Sequence, residues 1–224
     1  MKLAALFSGG KDSTYAAQIM EMQGHDISYL VSIFPSDRNS WIFHTPNLHL
    51  VPRIAEAMSK PLVTASSNGT EEDDLRALEK ALSGLDVEGV VTGALASDYQ
   101  WDRINGVCND LDLPVYSPLW RKDQEILMKD MLDSGLRSIV VVVSAEGLDH
   151  RWLGRCIDER SLEELREASV QFGFNISGEG GEYETLVLDS QIHQRPLEII
   201  DTEIELLRDG GRLTVKTAEL GERK

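Results

Sequence analysis

Six residues near the N-terminus, Ser8-Gly9-Gly10-Lys11-Asp12-Ser13, constrain this chain more than any other stretch. They follow an apolar run of strand length, Leu3 to Phe7. They precede a segment, Ser13 to Gln23, whose Tyr15, Ala16, Ile19 and Met20 share one helical face ahead of Gly24. A strand that turns over glycines straight into a helix aims backbone N–H groups and a helix N-terminus at one point, which makes an anion site. The glycines let the backbone approach phosphate oxygens with no Cβ in the way. Ser8 and Ser13 add hydroxyls, and Lys11 adds a point charge. The spacing matches neither the Walker P-loop nor the dinucleotide fingerprint G-x-G-x-x-G.

The pattern that starts here repeats. Ile27 to Phe34 reads as a second strand, Pro46 to Ser59 as a helix, and Leu62 to Ala65 as a third strand. Thr70 with Asp73 resembles a helix cap ahead of Leu75, Leu78 and Leu82 at helical spacing. Val87 to Leu95 is strand-like, Ala96 to Leu111 helix-like, and Val115 a short strand before Pro118. Such βαβα alternation predicts a mostly parallel sheet with helices on both faces. Beyond Pro118 the character changes. Helices are predicted over Asp123 to Ser134 and Leu162 to Phe172, and a fully apolar strand over Ser138 to Val143. Short strands follow over Tyr183 to Leu188, Pro196 to Glu205 and Arg212 to Thr217, the last two joined at Asp209-Gly210-Gly211. The expected organisation is an α/β domain over 1–118 and a smaller α+β domain over 119–224, packed together.

Charge narrows the partners. With 22 Lys plus Arg against 38 Asp plus Glu, the net charge is −16 and the pI near 4.7. This argues against a long phosphate backbone, so no direct nucleic-acid binding is expected. A small phosphate ligand is not affected, because a loop and a helix N-terminus can hold it. The two cysteines, Cys108 and Cys156, cannot build a disulfide framework or a four-cysteine zinc site, and reduced thiols in a cytoplasmic protein are expected. The apolar N-terminal run is too short for a signal peptide, and no window reaches the roughly 20 apolar residues of a membrane span. Self-association stays open.

A second stretch, Ser177-Gly178-Glu179-Gly180-Gly181-Glu182-Tyr183-Glu184-Thr185, packs three carboxylates and three glycines into nine residues ahead of a strand. That composition suits a ligand loop better than a core segment. Gly93 and Ala94 close a predicted strand, where open α/β sheets bind ligands. Tyr99, Gln100 and Arg103 share a helical face; Arg103 suits a phosphate, a substrate carboxylate or a surface salt bridge. His44 and His49 lack metal-ligand spacing, whereas His44 and Asn47 suit polar contact to a substrate.

The first loop resembles the SGG-x-D-[ST] loop of the PP-loop ATP pyrophosphatases, which cleave ATP between its α and β phosphates. That resemblance implies a Rossmann-like (HUP-type) five-stranded fold. It also implies that Ser8, Gly9, Gly10, Lys11, Asp12 and Ser13 grip pyrophosphate, with Gly93 and Ala94 at the nucleotide and Asp12 available to Mg²⁺. Together with Glu179 to Thr185, His44-Thr45-Pro46-Asn47, the Gly93 to Arg103 stretch and Trp152-Leu153-Gly154-Arg155, the chain is similar to the diphthine–ammonia ligase family, archaeal type, from residue 8 to residue 188. The resemblance implies the last step of diphthamide synthesis. ATP activates the carboxylate of diphthine, the modified histidine of elongation factor 2, as an acyl-adenylate, and ammonia converts it to the amide. Lys11, Asp12, Glu182 and Glu184 are then the expected catalytic residues. The expected substrate contacts are His44, Asn47, Tyr99, Gln100, Arg103, Glu179, Gly180, Gly181, Glu182, Tyr183, Glu184 and Thr185. A trimethylammonium group suits carboxylates and an aromatic face, and ammonium suits a carboxylate base; the three glutamates are not told apart.

Two other readings fit the same loops. One is a PP-loop ligase for another small molecule or a tRNA base, and the other a nucleotide-binding module without turnover. Sulfur transfer is disfavoured because Cys108 and Cys156 form no pair. The chain opens at its first strand, so no glutaminase domain is expected ahead of it and ammonia is the expected nucleophile.

Overall fold

The computed structural model describes residues 1–36, 46–208 and 210–223. The first part runs β1 (Lys2–Leu6), α1 (Lys11–Met22), β2 (Asp26–Pro35), a 3₁₀ turn (Leu48–Leu50), α2 (Val51–Met58), β3 (Leu62–Ser67), α3 (Glu71–Leu82), β4 (Val90–Val91), α4 (Asp98–Asp110) and β5 (Val115–Tyr116). Its five strands lie in the order β3-β2-β1-β4-β5, and every pairing is parallel. The order reverses between β1 and β4, so the connections leaving these two strands diverge and open a crevice at their carboxyl ends.

Burial explains the layering. Strand period sends Leu3 and Ala5 of β1 into a core with Tyr15, Met20, Ile54 and Met58 under α1 and α2. Ala4 and Leu6 go to the opposite core, with Leu78 and Leu82 of α3 and Ile104 and Cys108 of α4. Burial also pushes the Cys108 thiol up to about 12, which makes it an unreactive packing group.

The second part contributes α5 (Gln124–Asp133), β6 (Arg137–Val143), α6 (Glu159–Phe172), β7 (Tyr183–Asp189), β8 (Leu197–Leu207) and β9 (Gly210–Leu220). These strands form a separate antiparallel sheet in the order β7-β6-β9-β8. The α1/α2 core continues without a break into this sheet through Val140, Val187, Leu213 and Val215. Among the described residues, no helix is long and apolar enough to cross a membrane.

Several elements differ from the expectation for physical reasons. Strand β4 spans Val90–Val91 instead of Val87 to Leu95, because the chain must turn at Gly93 to admit the start of α1. The helix predicted from Pro46 breaks: Asn47 is left-handed (φ 62°), a 3₁₀ turn follows, and α2 starts at Val51 with Pro52 in its first turn. Strands β8 and β9 each reach eleven residues, since the hairpin zips from Leu207↔Gly210 to Leu197↔Leu220. Asn47, expected at the substrate, is committed elsewhere. Its Nδ2 donates to Leu213 O (3.0 Å) and its Oδ1 accepts from Val215 N (2.8 Å), where β9 has splayed away from β6. His49 Nε2 lies 2.7 Å from Val215 O, beside the same gap.

Asn47 thus ties the first part to the second through two buried hydrogen bonds. Asn47→Ala leaves a buried N–H and a buried C=O of β9 unpaired and is expected to cost about 2–4 kcal/mol. Urea unfolding checks this, and an unchanged midpoint would show the tie to be dispensable.

Candidate active site

The loop that follows β1 is folded around its own hydroxyls. Ser8 Oγ lies 3.1 Å from Ser13 Oγ and accepts from Gly10 N at 3.3 Å, while Ser13 Oγ donates to Gly10 O at 3.2 Å. Gly9 is left-handed (φ +80°), and a Cβ there would lie 3.0 Å from Ile54 Cδ1. The helix begins at Lys11 with Gly10 as its N-cap, two residues earlier than the apolar pattern suggests, so Lys11, Asp12 and Ser13 form its first turn. Gly93 lies against this turn: a Cβ there would sit 2.6 Å from Ser13 N. The connections after β1 and β4 therefore touch at the crevice, with first-turn N–H groups between them.

From the other side, β7 docks edge-on against this loop. Val187 N donates to Gly9 O (2.9 Å), and Lys11 N donates to Thr185 Oγ1 (3.1 Å). The glycine-rich stretch before β7 is thereby folded over the start of α4. Glu179 Oε1 accepts from Ala96 N (3.0 Å) and Ser97 N (2.9 Å). Together the two halves enclose a cleft of about 1490 Å³.

The charges in the cleft are coupled. Buried Lys11 directs Nζ to both oxygens of Asp12 (3.0 and 2.8 Å) and lies 5.6 Å from the centre of the Tyr183 ring. Burial pushes the Glu184 carboxyl up to about 7; Asp12 and Glu179 add to the shift and Lys11 opposes it. Burial also raises Glu179, against the two backbone N–H groups that favour its charge. Burial lifts the Tyr183 phenol well above its ordinary value, and its hydroxyl donates to Ile176 O at 2.7 Å. A carboxyl poised near neutrality beside a lysine and a helix N-terminus can exchange protons in water-like conditions.

Not every expected residue faces the cleft. Ser8, Gly10 to Ser13, Gly93, Ala94, Tyr99, Gln100, Glu179 to Gly181 and Tyr183 to Thr185 line it. Gly9 shapes the loop from behind, against α2. Glu182 turns back on its own loop: Oε1 accepts from Asn175 N (2.9 Å), and the position of Gly180 depends on that carboxylate, which a Cβ would approach to 2.7 Å. Arg103 is held at the rim by Glu71, with Nε 2.7 Å from Oε1, and stacks 3.5 Å over the Tyr99 ring. The Tyr99 hydroxyl bonds the same carboxylate, so hydrogen bonds from Tyr99 and Arg103 hold Glu71 below its ordinary value. His44 lies outside the described residues. Sequence reasoning missed Glu71, which reads as one of four acids opening α3, and Arg212, a lone basic residue on a strand; both line the cleft.

The donor set suits phosphate: a glycine turn, first-turn N–H groups and a lysine. Asp12 is a hard oxygen donor of the kind Mg²⁺ accepts. Among the described residues no group of three acidic, histidine or cysteine side chains is arranged to hold a metal alone. The cleft can therefore hold a polyphosphate in its floor while Glu179 and Glu184 present a carboxylate wall.

The sequence model of the diphthamide synthase N-terminal domain matches residues 1–114, and that of the diphthamide synthase C-terminal domain matches residues 123–220. A diphthine–ammonia ligase of Homo sapiens is 34% identical over 227 residues, covering 91% of this chain and 85% of its own length. The Danio rerio protein of the same name is 36% identical over 231 residues, covering 93% of this chain and 90% of its own. The Saccharomyces cerevisiae one is 30% identical over 90% of this chain, which spans 35% of that longer protein. Among solved structures, a predicted subunit of tRNA methyltransferase from Methanocaldococcus jannaschii aligns over 85% of this chain and 98% of its own, at 16% identity and a TM-score of 0.47.

The raised Glu184 has a pH signature. Its folded value of about 7 exceeds its ordinary 4.5, so its ionisation is penalised in the folded state. The corresponding stability is complete below pH 4.5 and is lost as pH rises through 7. Glu184→Gln is expected to gain on the wild type between pH 5 and pH 8, by at most about 3 kcal/mol. Denaturation at the two pH values measures this, and a constant difference would contradict the shift.

Proposed function

The chain belongs to the diphthamide synthase family, and from that membership and the geometry of the cleft we propose that it amidates diphthine on elongation factor 2, consuming ATP and ammonium and releasing AMP and pyrophosphate. The observation that carries the reading is the edge-on docking of β7 against the Ser8–Ser13 loop. It sets a phosphate cradle and a carboxylate wall in one cleft. An amide ligase that works through an adenylate needs both within one substrate's length.

The residues divide the work. The Ser8 to Ser13 loop and the first turn of α1 hold the polyphosphate, with Lys11 offsetting charge on the pyrophosphate as it leaves. Leu6, Val31, Ile33 and Ile104 give the cleft an apolar flank suited to the adenine ring, beside Gly93 and Ala94. Mg²⁺ bound by Asp12 together with phosphate oxygens would supply charge neutralisation. In the first step a diphthine carboxylate oxygen attacks the α-phosphorus, and the bond from that phosphorus to the bridging oxygen breaks. In the second, ammonia attacks the acyl carbon and the carbon–oxygen bond to AMP breaks. Glu184 takes the proton that ammonium must lose, a task matched to a carboxyl poised near 7. Glu179 holds the trimethylammonium group by charge. Tyr99 and Gln100 stand at the rim as substrate contacts, and Arg103 acts there by orienting Tyr99. Glu182 holds the loop in shape through Asn175. The reaction belongs in the cytoplasm, with the translation factor that it modifies.

The reading is tested with Mg-ATP, ammonium and diphthine-bearing elongation factor 2. AMP and pyrophosphate are expected only when the modified factor is present; AMP formed without it would point to a different acceptor. Lys11→Ala is expected to lose turnover through ATP handling. Glu184→Gln should bind ATP as the wild type does while amidation falls about a hundredfold or more. Near-normal amidation by Glu184→Gln would remove this carboxylate from the chemistry.

A further inference from the structure

We propose that Arg212 is a phosphate-binding residue of this cleft, contacting the β- and γ-phosphates of ATP from the second sheet; the identity of that anion rests on the ATP-dependent reading above. Arg212 stands on β9 and lines the cleft that contains the Ser8–Ser13 loop. Register places it on the sheet face that carries Glu184: Glu184 pairs with Val142, and Val142 pairs with Arg212. Two strand spacings, about 10 Å, separate the two backbones, within the reach of an extended arginine and a triphosphate chain.

Among the described residues, no carboxylate forms an ion pair with it. Arg212 Nε is buried with no hydrogen-bond partner, and Glu205, directly across the hairpin, makes no ion pair with it among the described residues. The other cations at the cleft are committed, Lys11 to Asp12 and Arg103 to Glu71. A half-buried guanidinium without a counter-charge is costly, and the cost is relieved when an anion arrives. Its planar fork of donors matches phosphate oxygens, and a triphosphate is the most highly charged anion that the proposed reaction brings in.

The backbone beneath it is fixed. Gly210 (φ +148°) lies against β6 so closely that a Cβ would fall 2.0 Å from Val143 O, and a Cβ on Gly211 would meet Leu153 at 2.9 Å. The two glycines before Arg212 thus pin the root of its side chain at the cleft wall.

Binding of ATP, pyrophosphate and AMP is measured by calorimetry without the protein factor, so the outcome does not depend on which acceptor the enzyme uses. Arg212→Ala is expected to weaken ATP and pyrophosphate about tenfold to a hundredfold while AMP, which lacks the distal phosphates, binds as before. Arg212→Lys, which keeps the charge and loses the fork, is expected to fall between. Wild-type affinity for ATP and pyrophosphate in both variants would overturn the proposal, including where the KM for the factor rises instead. An equal loss of all three ligands would also overturn it, because it would report a distorted cleft.

Discussion

The site depends on a sheet edge. Strand β7 ends the second sheet, and its outer edge would present unpaired N–H and C=O groups. Here that edge is covered by the glycine loop of the first sheet, through Val187 N to Gly9 O and through Lys11 N to the Thr185 hydroxyl. Each contact uses backbone that the loop has free because it is neither strand nor mid-helix. Glycine at position 9 allows the turn, and the start of α1 supplies the donor. The same few bonds therefore hold the loop in place, cap the sheet and fix the distance from the first turn of α1 to the carboxylates of β7.

That fixed distance explains the electrostatics. Asp12, Glu179 and Glu184 repel one another, and the fold keeps them together by giving each a different relief. Asp12 has the Lys11 ammonium. Glu179 has two backbone N–H groups at the start of α4, where the helix dipole also favours negative charge. Glu184 has neither, and it responds by holding its proton up to about 7. Burial is the largest cause of that shift, Asp12 and Glu179 add to it, and Lys11 opposes it; Glu179 is raised by burial as well, against its two N–H partners.

How much of this can be read along the chain depends on the range of the forces involved. The Ser8–Ser13 loop is legible because its conformation is set within six residues, by glycine freedom and two serine hydroxyls. The alternation of strands and helices is legible because β1 buries side chains on both faces, Leu3 and Ala5 on one and Ala4 and Leu6 on the other. Asn47 and Glu182 look like site residues by the same local logic, yet their side chains answer to partners the local sequence does not show. Asn47 fills a gap in β9, more than 160 positions away, and Glu182 braces Asn175 within its own loop. Arg212 is the reverse case. It has no local signal, and it reaches the cleft through strand register and the tight passage of Gly210 past Val143. Gly93 is intermediate: its place at a strand end is legible, but the reason for glycine, the backbone of Asp12 and Ser13 within 3 Å of a Cβ, lies across the sheet.

The two sheets also differ in what surface they can spare. A parallel sheet is covered on both faces by its helices, so it can offer a ligand little beyond the carboxyl ends of its strands, which makes a compact nucleotide crevice. An antiparallel sheet can leave a face in water. The second sheet does so along β9, where Arg212 is partly buried and Thr214 and Lys216 are exposed, while Leu213 and Val215 on the other face are buried. Through Arg212, this face is continuous with the cleft wall that bears Glu184. Joining one sheet of each kind edge to loop gives one chain a narrow anion-suited crevice beside an exposed sheet face.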